Sequence, residues 1–339
     1  MPPHHRFVVV SELGRLAEMP NLDSATVLPN FFIVGAPKAG TTSLYHYLDQ
    51  HPEIYMSPIK ETNYFASEVR PQILGGNLQE QIRRDEIALQ DYLRGTMLEK
   101  RFGALVTDWA DYLKLFCNVN GEKAIGEASV TYLWSVTAAA NIRARIPDAR
   151  IIMILRNPVE TAFSLYLENL GNERIHNSFH EQIHADAPWR GQFEPMHPFL
   201  EFGLYYEQVK RFLEGFPREK VCILLYEGYR TNQKQSMIDI FRFLGVNPAF
   251  EPNTLVRHMR PQIPRSFTIR RLLRRYGISQ RLKEWSPNVL VPHLRTLASR
   301  RRRSLTMNQE DRQFLVDYYR EDIQKLSDLL DRDLSAWIQ

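Results

Sequence analysis

One short run holds most of the chemistry that the sequence advertises. Gly35-Ala36-Pro37-Lys38-Ala39-Gly40-Thr41-Thr42-Ser43 follows an apolar segment and precedes a helical pattern. Glycines let a backbone curl until its N–H groups converge. A helix N-terminus adds partial positive charge, and Thr41, Thr42 and Ser43 add hydroxyl donors. Together these make a cradle for phosphate. The two glycines have the spacing of the NTPase loop G-x-x-x-x-G-K-[ST]. Here, however, Thr41 rather than lysine follows Gly40, and the one lysine, Lys38, lies inside the loop. An ATPase or GTPase that works through that lysine is disfavoured. A second anion site is suggested by Arg156, which ends another apolar run and precedes Asn157-Pro158. A guanidinium can fork onto a phosphate, and Ser164, two helical turns further on, supplies another donor.

The elements that must hold these residues are legible. Phe31–Val34, Ile151–Leu155 and Val221–Leu225 are short apolar runs without alternation. That is the pattern of parallel strands buried on both faces. Each leads through a polar or Gly/Pro turn into a helical pattern, which predicts βαβ units and a parallel sheet. Ligands then belong at the carboxyl ends of the strands. Helices are predicted over Thr41–Gln50, Tyr132–Ile146, Pro158 to about Leu170, Leu204–Glu214 and Asn232–Leu244, the last stopping at Gly245. Thr306-Met307-Asn308-Gln309 has the form of a capping box before a long amphipathic helix reaching about Leu330. Segment 71–115 is mixed helical, and His51 in His51-Pro52 is a turn residue.

Phe31 to Leu44, His51-Pro52 and Lys60-Glu61-Thr62-Asn63-Tyr64-Phe65 together resemble the 5′-phosphosulfate region of the sulfotransferases that use 3′-phosphoadenosine 5′-phosphosulfate (PAPS). The resemblance is strongest to bacterial members related to the heparan sulfate sulfotransferases. It extends through Gly126-Glu127-Ala128-Ser129, Tyr132-Leu133 and Leu225-Tyr226-Glu227. It implies an α/β fold, a P-loop NTPase-like parallel sheet flanked by helices. It also implies that Lys38, Ala39, Gly40, Thr41, Thr42 and Ser43 bind the 5′-phosphosulfate, and that Arg156 and Ser164 bind the 3′-phosphate. A basic loop before the last helix, here Arg300-Arg301-Arg302-Arg303, would close over the nucleotide, with Arg300 or Arg302 on the 3′-phosphate. Relatives use an acidic residue before the aromatic pair as base, which puts that role on Glu61. Sulfuryl transfer needs a cation at the departing phosphate, and Lys38 suits it. No metal is implied. The expected product is PAP, and the acceptor is a hydroxyl or amine of a carbohydrate, lipid or small molecule. A nucleotide kinase, or a PAP- or nucleic-acid-binding protein on the same fold, is the alternative.

Composition sets the frame. With 44% hydrophobic and 24% charged residues in 339, the chain is neither disordered nor fibrous. A single domain is expected: an α/β core over 30–250, a basic lid or acceptor-facing segment over 251–303, and a C-terminal helix on the core over 304–339. The net charge of +4 hides an asymmetry. Residues 257–303 carry 14 Lys and Arg against one acidic residue, Glu284, which leaves the other 292 at −9. Within that stretch, 264–282 alternates apolar residues with arginines. It fits a lid over an anionic or lipid-linked acceptor, a helix on an anionic membrane surface, or a solvated structural helix. No base-reading motif accompanies it, so nucleic acid is disfavoured. Two cysteines, of which Cys222 reads as a buried free thiol, the lack of a signal-peptide core and the lack of a long apolar span point to a cytoplasmic protein.

Overall fold

The computed structural model describes residues 27–66, 68, 78–171, 175, 177–190, 199–254 and 305–339. A five-stranded parallel sheet organises them. Its strands are β1 (Phe31–Gly35), β2 (Ile54–Met56), β5 (Ala124–Ala128), β6 (Arg150–Leu155) and β7 (Val221–Leu225), in the order β2-β5-β1-β6-β7. All four neighbouring pairs are parallel. Strand β1 is central and wholly buried, as its unbroken apolar run requires. After β1 the chain crosses out to β2 on one edge, returns through β5, and then builds β6 and β7 on the other side. The carboxyl ends of β5, β1 and β6 therefore flank the point where the winding reverses, which is where open parallel sheets bind ligands. A two-stranded parallel ribbon, β3 (Ile59–Lys60) with β4 (Arg101–Phe102), stands beside β5.

The three predicted long strands form as read. Strand β5 is the one the pattern hides: Ala-Ile-Gly-Glu-Ala has one β-branched residue and a carboxylate in its middle. Its glycine has a packing cause. A Cβ on Gly126 would lie 2.1 Å from the ring of Phe31, directly across in the register.

Helices α1 (Thr41–Leu48), α2 (Leu78–Arg94) and α3 (Trp109–Lys114) precede β5. The single helix predicted over Tyr132–Ile146 is instead two, α4 (Thr131–Trp134) and α5 (Ala138–Arg145). Side chains compete successfully with the helical ladder at the break. Ser135 Oγ accepts the N–H groups of Thr137 and Ala138, and Glu68 accepts the Ser135 and Thr137 hydroxyls and the Thr137 N–H. Helix α6 (Pro158–Gly171) follows β6 as predicted, and Asn157 Oδ1 accepts the Val159 N–H at its start. Then come α7 (Phe179–Asp186), α8 (Tyr205–Gly215), α9 (Tyr226–Thr231) and α10 (Gln233–Leu244), which ends on left-handed Gly245.

The last helix, α11 (Gln309–Leu330), packs on α8 and α6. Its cap is Asn308, which accepts the Asp311 N–H; the box anticipated from Thr306 does not form because the helix starts two residues later. The approach is close: a Cβ on Gly203 would stand 2.8 Å from the Tyr319 ring, and the Tyr319 hydroxyl donates to Leu200 O at 2.9 Å. His51, read as a turn residue, also packs its buried ring against Phe241 and Phe250. Cys222 is a half-buried free thiol pushed up to about 11 by burial, and Cys117 is exposed.

Substituting Gly126→Ala forces a methyl into the Phe31 ring. Overpacking of this kind costs about 1–3 kcal/mol, so the midpoint of urea denaturation is expected to fall, with an unchanged slope.

Candidate active site

The loop after β1 is built to receive an anion. Strand pairing shifts between Ile33 and Gly35, and Ala36 N–H closes the turn on Ile154 O at 2.7 Å. Lys38 (φ 61) and Gly40 (φ 85) are both left-handed, which curls the chain back on itself. Gly40 is favoured by that conformation and by space, because a Cβ there would lie 3.2 Å from the Tyr226 ring. Ala36, Ala39 and Leu44 N–H groups bond within the protein. Among the described residues, the N–H groups of Lys38, Gly40, Thr41, Thr42 and Ser43 have no acceptor. The last three are the free donors that every helix start leaves, and α1 aims its positive end at the same space.

Arg156, at the end of β6, is joined directly to this loop. Its Nη1 donates to Lys38 O at 3.0 Å, and its guanidinium stacks over the Tyr226 ring at 5.0 Å. Ser164 is half-buried on α6. Four residues on, Glu168 meets the ammonium of Lys38 at 3.3 Å. The loop lysine is thus held toward the helix face that carries Ser164. Sequence reading overlooked Glu168, although the spacing Ser164 to Glu168 is one helical turn and puts both on one face.

Glu61 directly follows β3 and is held beside the carboxyl end of β5, one strand from the loop. Its N–H donates to Ala128 O at 2.8 Å, and Ala128 faces Ile33 of β1. Its carboxylate accepts the Val130 N–H at 2.8 Å and pairs with Lys60. Lys60 is buried, so this is not a surface pair. Glu61 and Asn63 are both left-handed, with φ of 65 and 54. Beneath them, Glu127 is fully buried and accepts four hydroxyls, from Thr62, Ser129, Tyr112 and Tyr132, at 2.6–3.0 Å. Burial pushes its carboxyl up to about 7, and the four hydroxyls hold it from rising further. The structure thus joins Lys38 to Ser43 with Arg156, sets Ser164 on the adjoining helix face, and sets Glu61 on the far side of β1. It pairs Glu61 with Lys60 and Lys38 with Glu168. Arg300, Arg302 and segment 264–282 lie outside the described residues.

A family model described as "Sulfotransferase family" matches residues 29–252. The chain belongs to the sulfotransferase family. A solved sulfotransferase from Alicyclobacillus acidocaldarius is 32% identical, with a TM-score of 0.67 over 92% of this chain and 100% of that one. Carbohydrate sulfotransferase 15 of Homo sapiens is 28% identical over 260 residues, 66% of this chain and 45% of that protein. The bifunctional heparan sulfate N-deacetylase/N-sulfotransferase 3 of Mus musculus is 27% identical over 324 residues, 92% of this chain and 31% of that protein. This sulfotransferase therefore spans less than half the length of those two curated relatives. No helix among the described residues is long and apolar enough to cross a membrane.

Two outcomes follow from the geometry. Glu168 competes with any incoming anion for Lys38, so Glu168→Gln is expected to bind PAP about two- to fivefold tighter, the worth of a partly exposed ion pair, by calorimetry at low salt. Folding favours the neutral form of Glu127, because its folded value of about 7 lies above the ordinary 4.5. Its contribution to stability is therefore full below about pH 4.5 and lost as pH rises through about 7. The melting temperature of the wild type minus that of Glu127→Gln should decline between about pH 5 and about pH 8.

Proposed function

We propose that this sulfotransferase moves the sulfuryl group of PAPS to a hydroxyl or amine of an acceptor and releases PAP. The observation that carries this reading is the hydrogen bond from Arg156 to Lys38 O. It ties a five-donor N–H loop to a guanidinium on the neighbouring strand. A mononucleotide phosphate needs only the first of these; a nucleotide phosphorylated at both ends uses both. The donor set fits such a ligand: backbone N–H groups, the hydroxyls of Thr41, Thr42 and Ser43, and two cations. A kinase is disfavoured, because the residue after Gly40 is Thr41.

Each residue then has a task. Ala39 to Ser43 grip the 5′ end, and Arg156 with Ser164 grip the 3′-phosphate, with Arg300 or Arg302 completing that site. Glu61 takes the proton of the acceptor as its oxygen or nitrogen bonds to sulfur. The bond from sulfur to the bridging oxygen breaks, and Lys38 balances the charge that grows on the departing phosphate. The transition state of such transfers is loose, so position and charge do most of the work. The acceptor we favour is a carbohydrate, on the strength of the two curated relatives' names. In this reading the enzyme is a single domain, residues 251–303 serve as a basic lid or acceptor-facing segment, and the cytoplasm is the proposed compartment.

PAP is expected to bind at least tenfold more tightly than AMP, since it adds a charged, hydrogen-bonded contact worth about 1.5–3 kcal/mol; equal affinities in calorimetry would sink the second anion site. Glu61→Gln should lower turnover by about 10²–10⁴-fold, the usual share of a general base, while PAP affinity stays within about twofold. The assay is PAP release across a panel of sugar, lipid and small-alcohol acceptors.

A further inference from the structure

The backbone that carries Glu61 is held in an unusual way. Within the three-residue turn 61–63, two residues other than glycine are left-handed. Such conformations persist only where the surroundings over-determine them. The three N–H groups that follow are each accepted by a hydroxyl: Asn63 by Ser129 Oγ at 3.2 Å, Tyr64 by Thr62 Oγ1 at 3.4 Å and Phe65 by Tyr132 Oη at 3.4 Å. All three hydroxyls lie within donating distance of one acceptor, the carboxylate of Glu127, at 2.6–2.9 Å, and Thr62 Oγ1 and Tyr132 Oη also meet each other at 3.1 Å. Tyr112 donates to it as well. A hydroxyl has one proton to give. In its ionised form, which prevails above about pH 7, the carboxylate can take all of them, and the hydroxyl oxygens are then left to accept from the backbone. On the other side of Glu61, residue Val130, whose N–H holds the Glu61 carboxylate, directly follows Ser129.

We propose that Glu127 is the positioning residue for Glu61: by orienting the hydroxyls of Thr62, Ser129 and Tyr132, it fixes the backbone of 61–65 and with it the direction of the Glu61 carboxylate. The role rests on reading Glu61 as the base. No sequence spacing announces it, because among the described residues no hydrogen bond joins Glu127 to the Glu61 side chain or to the phosphate loop. It reaches the base through one layer of hydroxyls. An amide at this position would present N–H donors to at least one of those hydroxyls. That hydroxyl would have to turn and could no longer accept its backbone N–H.

The test compares Glu127→Gln with wild type in two readouts. Hydrogen exchange of the amides of 63–65 should speed up by about tenfold or more, while the helical amides of α6 and α11 keep their protection. Turnover with a competent acceptor should fall by about 10- to 100-fold, the cost of a slightly misplaced group, with PAP affinity unchanged. In a Glu61→Gln background the same substitution should cost nothing further. Unchanged exchange at 63–65, or a turnover loss that adds in full to that of Glu61→Gln, overturns the positioning role and leaves the base in place. Wild-type turnover in Glu61→Gln alone removes the base instead, while the exchange readout still judges whether Glu127 holds the turn. If Glu127→Gln melts below the assay temperature, Ser129→Ala carries the question: faster exchange at Asn63 with a severalfold lower turnover supports the role, and wild-type values in both overturn it.

Discussion

After the carboxyl end of β1 the N–H groups of Lys38, Gly40, Thr41, Thr42 and Ser43 have no acceptor among the described residues. Unpaired backbone donors persist where solvent or a ligand can reach them, so this junction is the point the rest of the fold serves. It exists because the central strand stops abruptly. Pairing with β6 slips at Val34, and Leu133 of α4 leaves no room for a Cβ on Gly35. Lys38 and Gly40 turn left-handed, and α1 starts at once. A buried five-stranded sheet is needed to hold so sharp a turn still. Phe31 and Phe32 are fully buried, and each such ring contributes about 1.5–3 kcal/mol.

The two neighbouring strands each bring one further piece to this junction. Strand β6 delivers Arg156, which closes on the loop itself. Strand β5 delivers Ala128, to which Glu61 is hung by its backbone. Parallel pairing makes this arrangement possible, because all three strands end on the same side. The same reasoning explains why α4 and α5 are two helices. A single helix over this stretch would have left no turn for Glu68 to cap, and that cap holds α4 over Gly35.

The sequence made the parallel sheet, the loop and Arg156 legible, because they depend on local patterns: an apolar run, a glycine spacing, a proline at a helix start. Strand β5 was hidden, since Gly126 and Glu127 are poor strand formers whose presence is explained only by Phe31 across the register and by four hydroxyls from elsewhere in the chain. Glu168 was within reach of helical arithmetic but needed the lysine's direction to give it meaning. The break at Ser135–Thr137 depends on Glu68, far away in sequence, and no local propensity encodes it. Tertiary partners, not weak local signals, separate what could be read from what could not.

Both charged groups assigned to the chemistry already have opposite partners: Lys38 has Glu168, and Glu61 has Lys60. An isolated charge at a half-buried position would be expensive to keep, so the site stores its charges as pairs. Donor binding is then an exchange of partners rather than a simple gain of contact. A lysine that took up the phosphosulfate would have to leave its carboxylate partner. The exchange lowers the net attraction for the donor, yet it keeps Lys38 on the helix face where the nucleotide is to lie. A cleft that must hold a highly charged donor, release an equally charged product and avoid trapping either benefits from an internal anion of matching strength. On that account Glu168 would offer Lys38 a ready partner as an anion departs.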